Sequence, residues 1–242
     1  MTVARSKELA AAPALEPLGR NDDGATTLGE RVRIVLSERL MAGEYSPGAK
    51  LSLRKLADNL GVSMTPVRQA INRLVADRAV EVTPNRAVRV PTMTVPQFCE
   101  LTEIRIDIEG VAAYRAATLR DDTDIRQMMK YETAFREEAQ KAKPDLVRIA
   151  AVNQRLHFAI YRATKSPMLV EIISGLWLKA GPILNLDMRS SPERLKSGHA
   201  LTLHAAAVAA IARKDGEAAR AAISGDIRKA SEYIIARKVL PP

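Results

Sequence analysis

At 242 residues the chain is long enough for two modest domains, and its low aromatic content, 4% against 47% hydrophobic residues, favours packed helices over sandwiches or barrels. The formal net charge of +9 favours a polyanionic partner, although a basic balance also suits ordinary solubility. A single cysteine, Cys99, excludes an intrachain disulfide and a cysteine-based zinc cluster, and it is expected to be a small buried residue.

The N-terminal segment shows no sign of a targeting or membrane function. No apolar run approaches the roughly 20 residues that span a bilayer, and charges lie where a secretory signal would be apolar. We therefore expect a cytoplasmic protein with no membrane partner. Residues 1–26 mix Ala, Pro, Gly and both charges without sustained periodicity, so they are predicted to form a disordered arm.

Three helices and a hairpin are predicted after this arm. Apolar residues recur at helical spacing after Thr27, the predicted N-cap of the first helix. Ser52 is placed to cap a second helix, which Gly61 ends, and Ser63 is placed to cap a third. Two alternating valine-rich segments around a Thr-Pro-Asn-Arg turn then predict a β-hairpin over residues 80–90. Helix, tight turn, helix and hairpin together indicate a winged helix-turn-helix.

Residues 27–91 are therefore predicted to bind DNA. The second helix of such a motif enters the major groove, while helix ends and the wing hold phosphates. Thr65 lies where its hydroxyl would contact a phosphate, and Arg68 lies where its guanidinium would contact the edge of a guanine base. The alternative for each residue is an ordinary solvated side chain. The full set of predicted DNA contacts is Arg54, Ser63, Thr65, Arg68, Asn85 and Arg86.

Two prolines bracket a predicted linker over residues 92–96, and helical periodicity then continues almost to the C-terminus. The predicted fold is mainly α, with the winged helix followed by an antiparallel all-α bundle of six to seven helices over residues 97–238. The candidate helices are Pro96–Leu119, Thr123–Lys141, Asp145–Thr164, Pro167–Leu178, Pro182 to about Met188, Pro192–Lys214 and Gly216–Lys238.

Polar residues on inward faces of this bundle suggest a metal site. Asn153 and His157 are four apart in one predicted helix and so share a face. His204 and Asp226 lie at equal sequence distances on either side of Asp215, so a helical hairpin that turns there would bring them level. Two imidazoles, a carboxylate and an amide oxygen could together hold one divalent cation. The alternative is that the histidines are buried and merely form hydrogen bonds.

The sequence GVSMTPVRQAINRL over residues 61–74, followed by Pro-Asn-Arg at the hairpin tip, resembles the winged helix of the GntR family of transcriptional regulators. The resemblance covers residues 28–91. Met64 stands where the family commonly has an arginine that contacts DNA, and Ala87 stands where a glycine is common. The operator sequence therefore cannot be transferred from relatives.

Residues 97–236 resemble the FCD ligand-binding domain of the FadR subfamily within that family. Many members bind a metal through an Asp and three His, and this sequence has Asn153, His157, His204 and Asp226 at those spacings. The resemblance thus implies a divalent metal, Zn, Ni, Mn or Fe, at a site with two substituted ligands. His199 is roughly 140° from His204 on an ideal helix and should lie off the site.

Relatives often bind a small carboxylate or sugar acid over the metal, which implies a similar effector here. Arg105 is the candidate carboxylate partner, because a guanidinium offers a bidentate fork. The alternative is a salt bridge from Arg105 to Glu109, four residues on. Trp177, the single tryptophan, is expected in the core rather than in a pocket lining.

The predicted function is that of a homodimeric repressor that binds operator DNA and is released by its effector. One alternative is an enzyme that uses the metal of the bundle, but no general base or nucleophile motif accompanies the predicted ligands. Another is a non-specific DNA-compacting protein, against which the large helical domain with inward polar residues argues.

Overall fold

The computed structural model describes residues 26–190, 195 and 198–242, so the predicted arm lies almost wholly outside the described residues. Within the described part the chain forms nine helices and three short strands, and the mainly α fold with a winged helix and a helical bundle is confirmed. The elements are α1 (Leu28–Met41), β1 (Lys50–Leu51), α2 (Leu53–Leu60), α3 (Met64–Ala76), β2 (Glu81–Val82), β3 (Val88–Arg89), α4 (Val95–Leu119), α5 (Asp122–Ala139), α6 (Leu146–Arg162), α7 (Pro167–Ser190), α8 (His199–Ala212) and α9 (Gly216–Ala236).

The helix boundaries of the winged helix follow the capping residues read from the sequence. Thr27 accepts a hydrogen bond from the backbone N–H of Glu30 at 3.2 Å, and Ser52 accepts one from Lys55 at 3.3 Å. Gly61 ends α2 in the left-handed conformation at φ 63°, which a glycine adopts without steric cost. The predicted helix, tight turn and helix are therefore present.

The wing is a three-stranded sheet in which β3 lies between β1 and β2 and is antiparallel to both. Its hairpin strands are shorter than the two valine-rich segments suggested. β1 was not predicted, because a two-residue strand is too short to show an alternating pattern. Through its pairing with β3, β1 connects the segment before α2 to the wing.

The bundle comprises α4 to α9, and its helices are packed through small residues. α9 lies along both α4 and α8, while α5 lies along α6. On α4 four alanines, Ala112, Ala113, Ala116 and Ala117, are fully buried, so α4 can approach its neighbours closely. Close packing here brings polar side chains from α4, α6, α7, α8 and α9 into one interior.

α7 corrects the prediction of two separate helices divided near Pro182. The helix is continuous from Pro167 to Ser190, with Pro182 inside it. A proline removes one backbone hydrogen bond, but Leu178, Ala180 and Ile183 around it are buried. Tertiary packing therefore outweighs the local signal.

Two further predictions differ from the structure. The helix predicted over Pro192–Lys214 begins at His199, after Gly198 at φ 71°, and residues 192–194 lie outside the described residues. Cys99, expected to be buried, is partly exposed on α4.

The residues Pro167–Asn185 of α7 form a stretch that is long and apolar enough to cross a membrane, with a mean hydropathy of 1.3. The expectation that no apolar run approaches this length was therefore wrong. Ile173 and Trp177 in this stretch are buried inside the bundle, whereas Glu171 and Lys179 are exposed. This is the pattern of a core helix with one solvated face.

The winged helix rests on the bundle where the end of α1 meets α7. Asn185 donates a hydrogen bond from Nδ2 to the backbone oxygen of Met41 at 2.5 Å. A Cβ added at Gly181 would lie 2.6 Å from the Cα of Met41, so the two backbones are nearly in contact. One hydrophobic cluster extends from the winged helix into the bundle. α7 is thus in direct contact with both parts of the molecule.

Candidate metal centre and DNA-binding face

Three side chains from three helices meet inside the bundle. Nε2 of His157 lies 3.3 Å from Oδ2 of Asp226, and Nε2 of His204 lies 3.6 Å from the same oxygen. The three potential ligand atoms all lie within 4.8 Å of one another. The helical hairpin that turns at Asp215 therefore brings His204 and Asp226 level, as the spacing predicted.

The cluster fits a divalent cation. Ligand atoms at the usual 2.0–2.2 Å from a tetrahedral metal are about 3.4 Å apart, close to the separations observed here. His204 is 1% exposed, and neither of its ring nitrogens has a hydrogen-bond partner in the described part of the chain. A buried ring with two unsatisfied nitrogens is costly unless another group, such as a metal, satisfies one of them.

The protonation states also suit a metal. Burial lowers the pKa of His157, which favours the neutral imidazole that a metal requires. Burial alone would raise the pKa of Asp226, but the adjacent His204 and His157 outweigh it and hold that pKa well below its ordinary value. Asp226 is therefore a carboxylate, and the cluster can offer nitrogen and oxygen donors together.

A chain of buried hydrogen bonds orients His157. Tyr161 donates its hydroxyl hydrogen to Glu109, and the Tyr161 oxygen lies 2.9 Å from Nδ1 of His157. Because the Tyr161 proton is used by Glu109, the oxygen accepts from Nδ1–H of His157. With a metal bound, this tautomer would present Nε2, the nitrogen on the Asp226 side, as the ligand atom. Hydrogen bonds of this kind orient histidine ligands at metal sites.

Glu109 is the centre of this network. It accepts hydrogen bonds from Nε of Arg105 at 2.6 Å and from Nε1 of Trp177 at 3.1 Å. Burial alone would lower the pKa of Arg105, but the charge and hydrogen bonds of Glu109 raise it. The Arg105 guanidinium also lies 5.1 Å from the ring centre of Trp177. The salt bridge considered as the alternative role of Arg105 is therefore present.

The residues around the cluster enclose a cavity of only about 20 Å³, lined among others by Arg105, Asn153 and Trp177. This volume is about that of one water or ion. Trp177 is buried as predicted, and it also lines this cavity. Asn153, four residues before His157, lines this cavity together with His157 and Asp226. His199 is exposed at the start of α8, and the cluster does not include it.

Sequence reasoning missed Tyr161 and the site role of Trp177. Tyr161 is four residues after His157 and so shares its helix face, a signal that was available. Trp177 joins the network from α7, 68 residues from Glu109, and no local pattern indicates that contact.

The predicted DNA contacts on α2 and α3 form an exposed surface. Arg54, Ser63, Thr65 and Arg68 are all exposed around the N-terminal end of α3. Ser63 is the N-cap of α3, but its hydroxyl makes no capping hydrogen bond. Neither Arg54 nor Arg68 forms an ion pair with another described residue, so both guanidinium groups are available to a ligand.

The two wing residues differ in their surroundings. The Asn85 side-chain oxygen accepts hydrogen bonds from the Thr83 hydroxyl at 2.5 Å and from the backbone N–H of Ala87 at 3.4 Å, so it holds the turn. Arg86 is exposed, with its backbone in the left-handed region at φ 60°. Met64, at the start of α3, is 37% exposed, which is unusual for a long apolar side chain.

An exposed recognition helix joined to a bundle with an enclosed polar site defines a DNA-binding transcription regulator that responds to a ligand. Comparison with known proteins supports this class. Residues 28–90 match the model of bacterial regulatory proteins of the gntR family, and residues 100–229 match that of the FCD domain. The chain belongs to the GntR family of transcription regulators, in the group with an FCD ligand-binding domain, and is not an enzyme.

The chain is similar to known transcription regulators over most of its length. The chain is 33% identical over 186 residues to the HTH-type transcriptional regulator McbR of Escherichia coli (strain K12), a match that covers 76% of this chain and 82% of McbR. It is 27% identical over 200 residues to a protein of Paenarthrobacter nicotinovorans described as a probable D-xylose utilization operon transcriptional repressor, covering 75% and 87% of the two chains. The solved structure of E. coli McbR superposes with a TM-score of 0.80 at 28% identity, covering 88% of this chain and 99% of that one.

Proposed function

We propose that this regulator is a cytoplasmic homodimeric repressor that holds a divalent metal in its bundle and leaves its operator when a small carboxylate binds there. The observation that carries the proposal is the buried cluster of His157, His204 and Asp226, in which neither His204 nitrogen has a hydrogen-bond partner among the described residues. Arg105, a buried cation, lines the same cavity.

His157, His204 and Asp226 would hold the metal, with the Asn153 amide oxygen as a further ligand. Mixed nitrogen and oxygen donors suit Zn, Ni, Mn or Fe rather than Ca or Mg. The metal, when bound, would supply a positive centre to which a carboxylate can coordinate.

Arg105 would provide the second contact for that carboxylate. Its Nε and one terminal nitrogen are used by Glu109, which leaves part of the guanidinium fork for a ligand. A cavity of about 20 Å³ cannot hold a sugar acid, so side chains that line it must move when the effector enters. The D-xylose operon named for one relative supports an effector related to sugar metabolism.

α7 would carry the signal to the DNA-binding face. Trp177 contacts the cluster through the His157 ring, at a centroid separation of 5.3 Å, and through Glu109. One and two turns further along the same helix, Gly181 and Asn185 contact Met41 at the end of α1. A ligand that displaces Trp177 would therefore displace the α1 contact as well. In a dimer this would change the spacing of the two recognition helices.

The test is operator affinity as a function of metal and carboxylate. We would select an operator from a random DNA library and measure its affinity by fluorescence anisotropy. The protein would be metal-free or loaded with Zn, Ni, Mn or Fe, with and without a panel of sugar acids. Size-exclusion chromatography with light scattering would give the oligomeric state.

We expect one combination to weaken operator binding by at least about fivefold. The effect should be lost in His204→Ala and retained in His199→Ala, a matched exposed histidine on the same helix. An operator affinity that no combination changes, or an equal effect in His204→Ala, would contradict the proposal.

A further inference from the structure

We propose that the cleft between α1, α6 and α7 is a second ligand site, which binds a small dianion. The cleft has a volume of about 510 Å³, within the range of small-molecule pockets, and it is separate from the buried cluster. Its lining includes four arginines, Arg33 and Arg39 from α1 and Arg155 and Arg162 from α6.

The two arginines of α6 carry the charge that a ligand would meet. Arg155 is exposed and forms no ion pair with any residue in the described ranges. Arg162 lies seven residues, or two turns, further along the same face, with its guanidinium 5.4 Å from the ring centre of Phe158. Two guanidinium groups on one face offer two forks for anionic oxygens.

The α1 side of the cleft is closer to charge balance. Arg33 pairs with Glu30 at 2.6 Å, and Arg39 lies 3.7 Å from Glu44, which also lines the cleft. Glu38 is a second acid in the lining. Four arginines against two glutamates leave the cleft basic, with the excess on the α6 side.

Ser37 gives a second, independent indication of a ligand. It lies on α1 in the lining of the cleft, it is 5% exposed, and its hydroxyl lacks a hydrogen-bond partner among the residues that the structure describes. Buried hydroxyls are nearly always satisfied, so a ligand in the cleft could supply the hydrogen bond that Ser37 lacks.

The position of the cleft would make its ligand a regulator. α1 belongs to the winged helix, whereas α6 and α7 belong to the bundle, so one bound molecule would touch both. Phe158, in the lining of the cleft, packs edge-on against Trp177 and Tyr161, with ring centres 5.4 Å and 5.7 Å apart. A dianion here would favour one placement of the winged helix without contacting the metal cluster itself.

The experiment is a titration of the full-length, metal-free protein with inorganic phosphate and, separately, with succinate. Isothermal calorimetry and the fluorescence of Trp177 would report binding. The two probes distinguish a phosphate ligand from a dicarboxylate. The variants are Arg155→Gln and Arg162→Gln, with Arg126→Gln, an exposed arginine on α5, as the matched control, and Asp226→Ala to remove the buried cluster.

We expect saturable binding of one probe that is about tenfold weaker in each α6 arginine variant and unchanged in Arg126→Gln and Asp226→Ala. Three results would overturn the proposal: no saturable binding of either probe, wild-type binding in both Arg155→Gln and Arg162→Gln, or a loss confined to Asp226→Ala. The last would place the anion at the buried cluster, so failure of this site is distinguishable from failure of the proposed metal site.

Discussion

Tyr161 donates a hydrogen bond to Glu109 across 52 residues of sequence, and the same hydroxyl oxygen lies 2.9 Å from Nδ1 of His157. The hydroxyl connects the Arg105–Glu109 ion pair to the metal cluster. A substitution at Tyr161 therefore removes the group that orients His157 while leaving His157 present as a metal ligand.

Tyr161→Phe is expected to weaken metal binding by about 10–100-fold without unfolding the protein, because His157 loses its orienting partner. Competition with a chromophoric chelator would measure the affinity. Tyr114→Phe, on the partly exposed tyrosine of α4, is the control and should bind as the wild type does. Equal affinities for the two variants would show that the network does not position His157.

Glu109→Gln is expected to cost about 3–5 kcal/mol of unfolding free energy in the metal-free protein, because it leaves the Arg105 charge buried without its counter-ion. Urea denaturation would measure the loss. Glu232→Gln breaks an exposed ion pair with Lys229 of similar type and should leave the transition unchanged. Similar midpoints for the two variants would contradict the buried role of Glu109.

Gly181→Ala and Gly175→Ala place the same methyl group on the same helix with opposite expected effects. At Gly181 the methyl would meet the Met41 backbone, so we expect a loss of about 1–3 kcal/mol and altered operator affinity. At Gly175 nothing lies within 4 Å of the added methyl group, so the better helix propensity of alanine should raise the free energy of unfolding by up to about 1 kcal/mol. Thermal unfolding and anisotropy would report both quantities, and equal effects would argue against a tight α1–α7 contact.

Arg68→Ala is expected to weaken operator binding by about 1–3 kcal/mol and to relax the preference for one base pair, whereas Arg54→Ala should weaken all sequences evenly and reduce the salt dependence. Anisotropy with operator variants over a range of salt concentrations would separate the two. Arg126→Ala, on the bundle, is the control. An Arg68→Ala protein with unchanged sequence preference would refute a base contact at that position.

Sequence signals were sufficient to predict the features that depend on residues close together in the chain. The caps at Thr27 and Ser52 and the left-handed Gly61 gave the helix boundaries, because each hydrogen bond closes within one turn. The register of His204 with Asp226 followed from the hairpin at Asp215, which is a matter of helix geometry.

The remaining features depend on packing between distant segments. Pro182 lies inside a helix because its neighbours are buried, and Trp177 reaches Glu109 because α7 lies against α4. Neither feature produces a periodic pattern in the sequence. The cleft lined by Arg155 and Arg162 depends on α1 and α6 both packing against α7, so it could not be predicted from either helix alone.

The most direct test of the central claim is the metal content of the untagged protein, measured by plasma mass spectrometry for wild type, His157→Ala, Asp226→Ala and His199→Ala. We predict about one metal ion per chain in the wild type and in His199→Ala, and a loss in the other two variants. A folded wild type that takes up none of the four metals, or full occupancy in both His157→Ala and Asp226→Ala, would contradict the assignment of the metal centre.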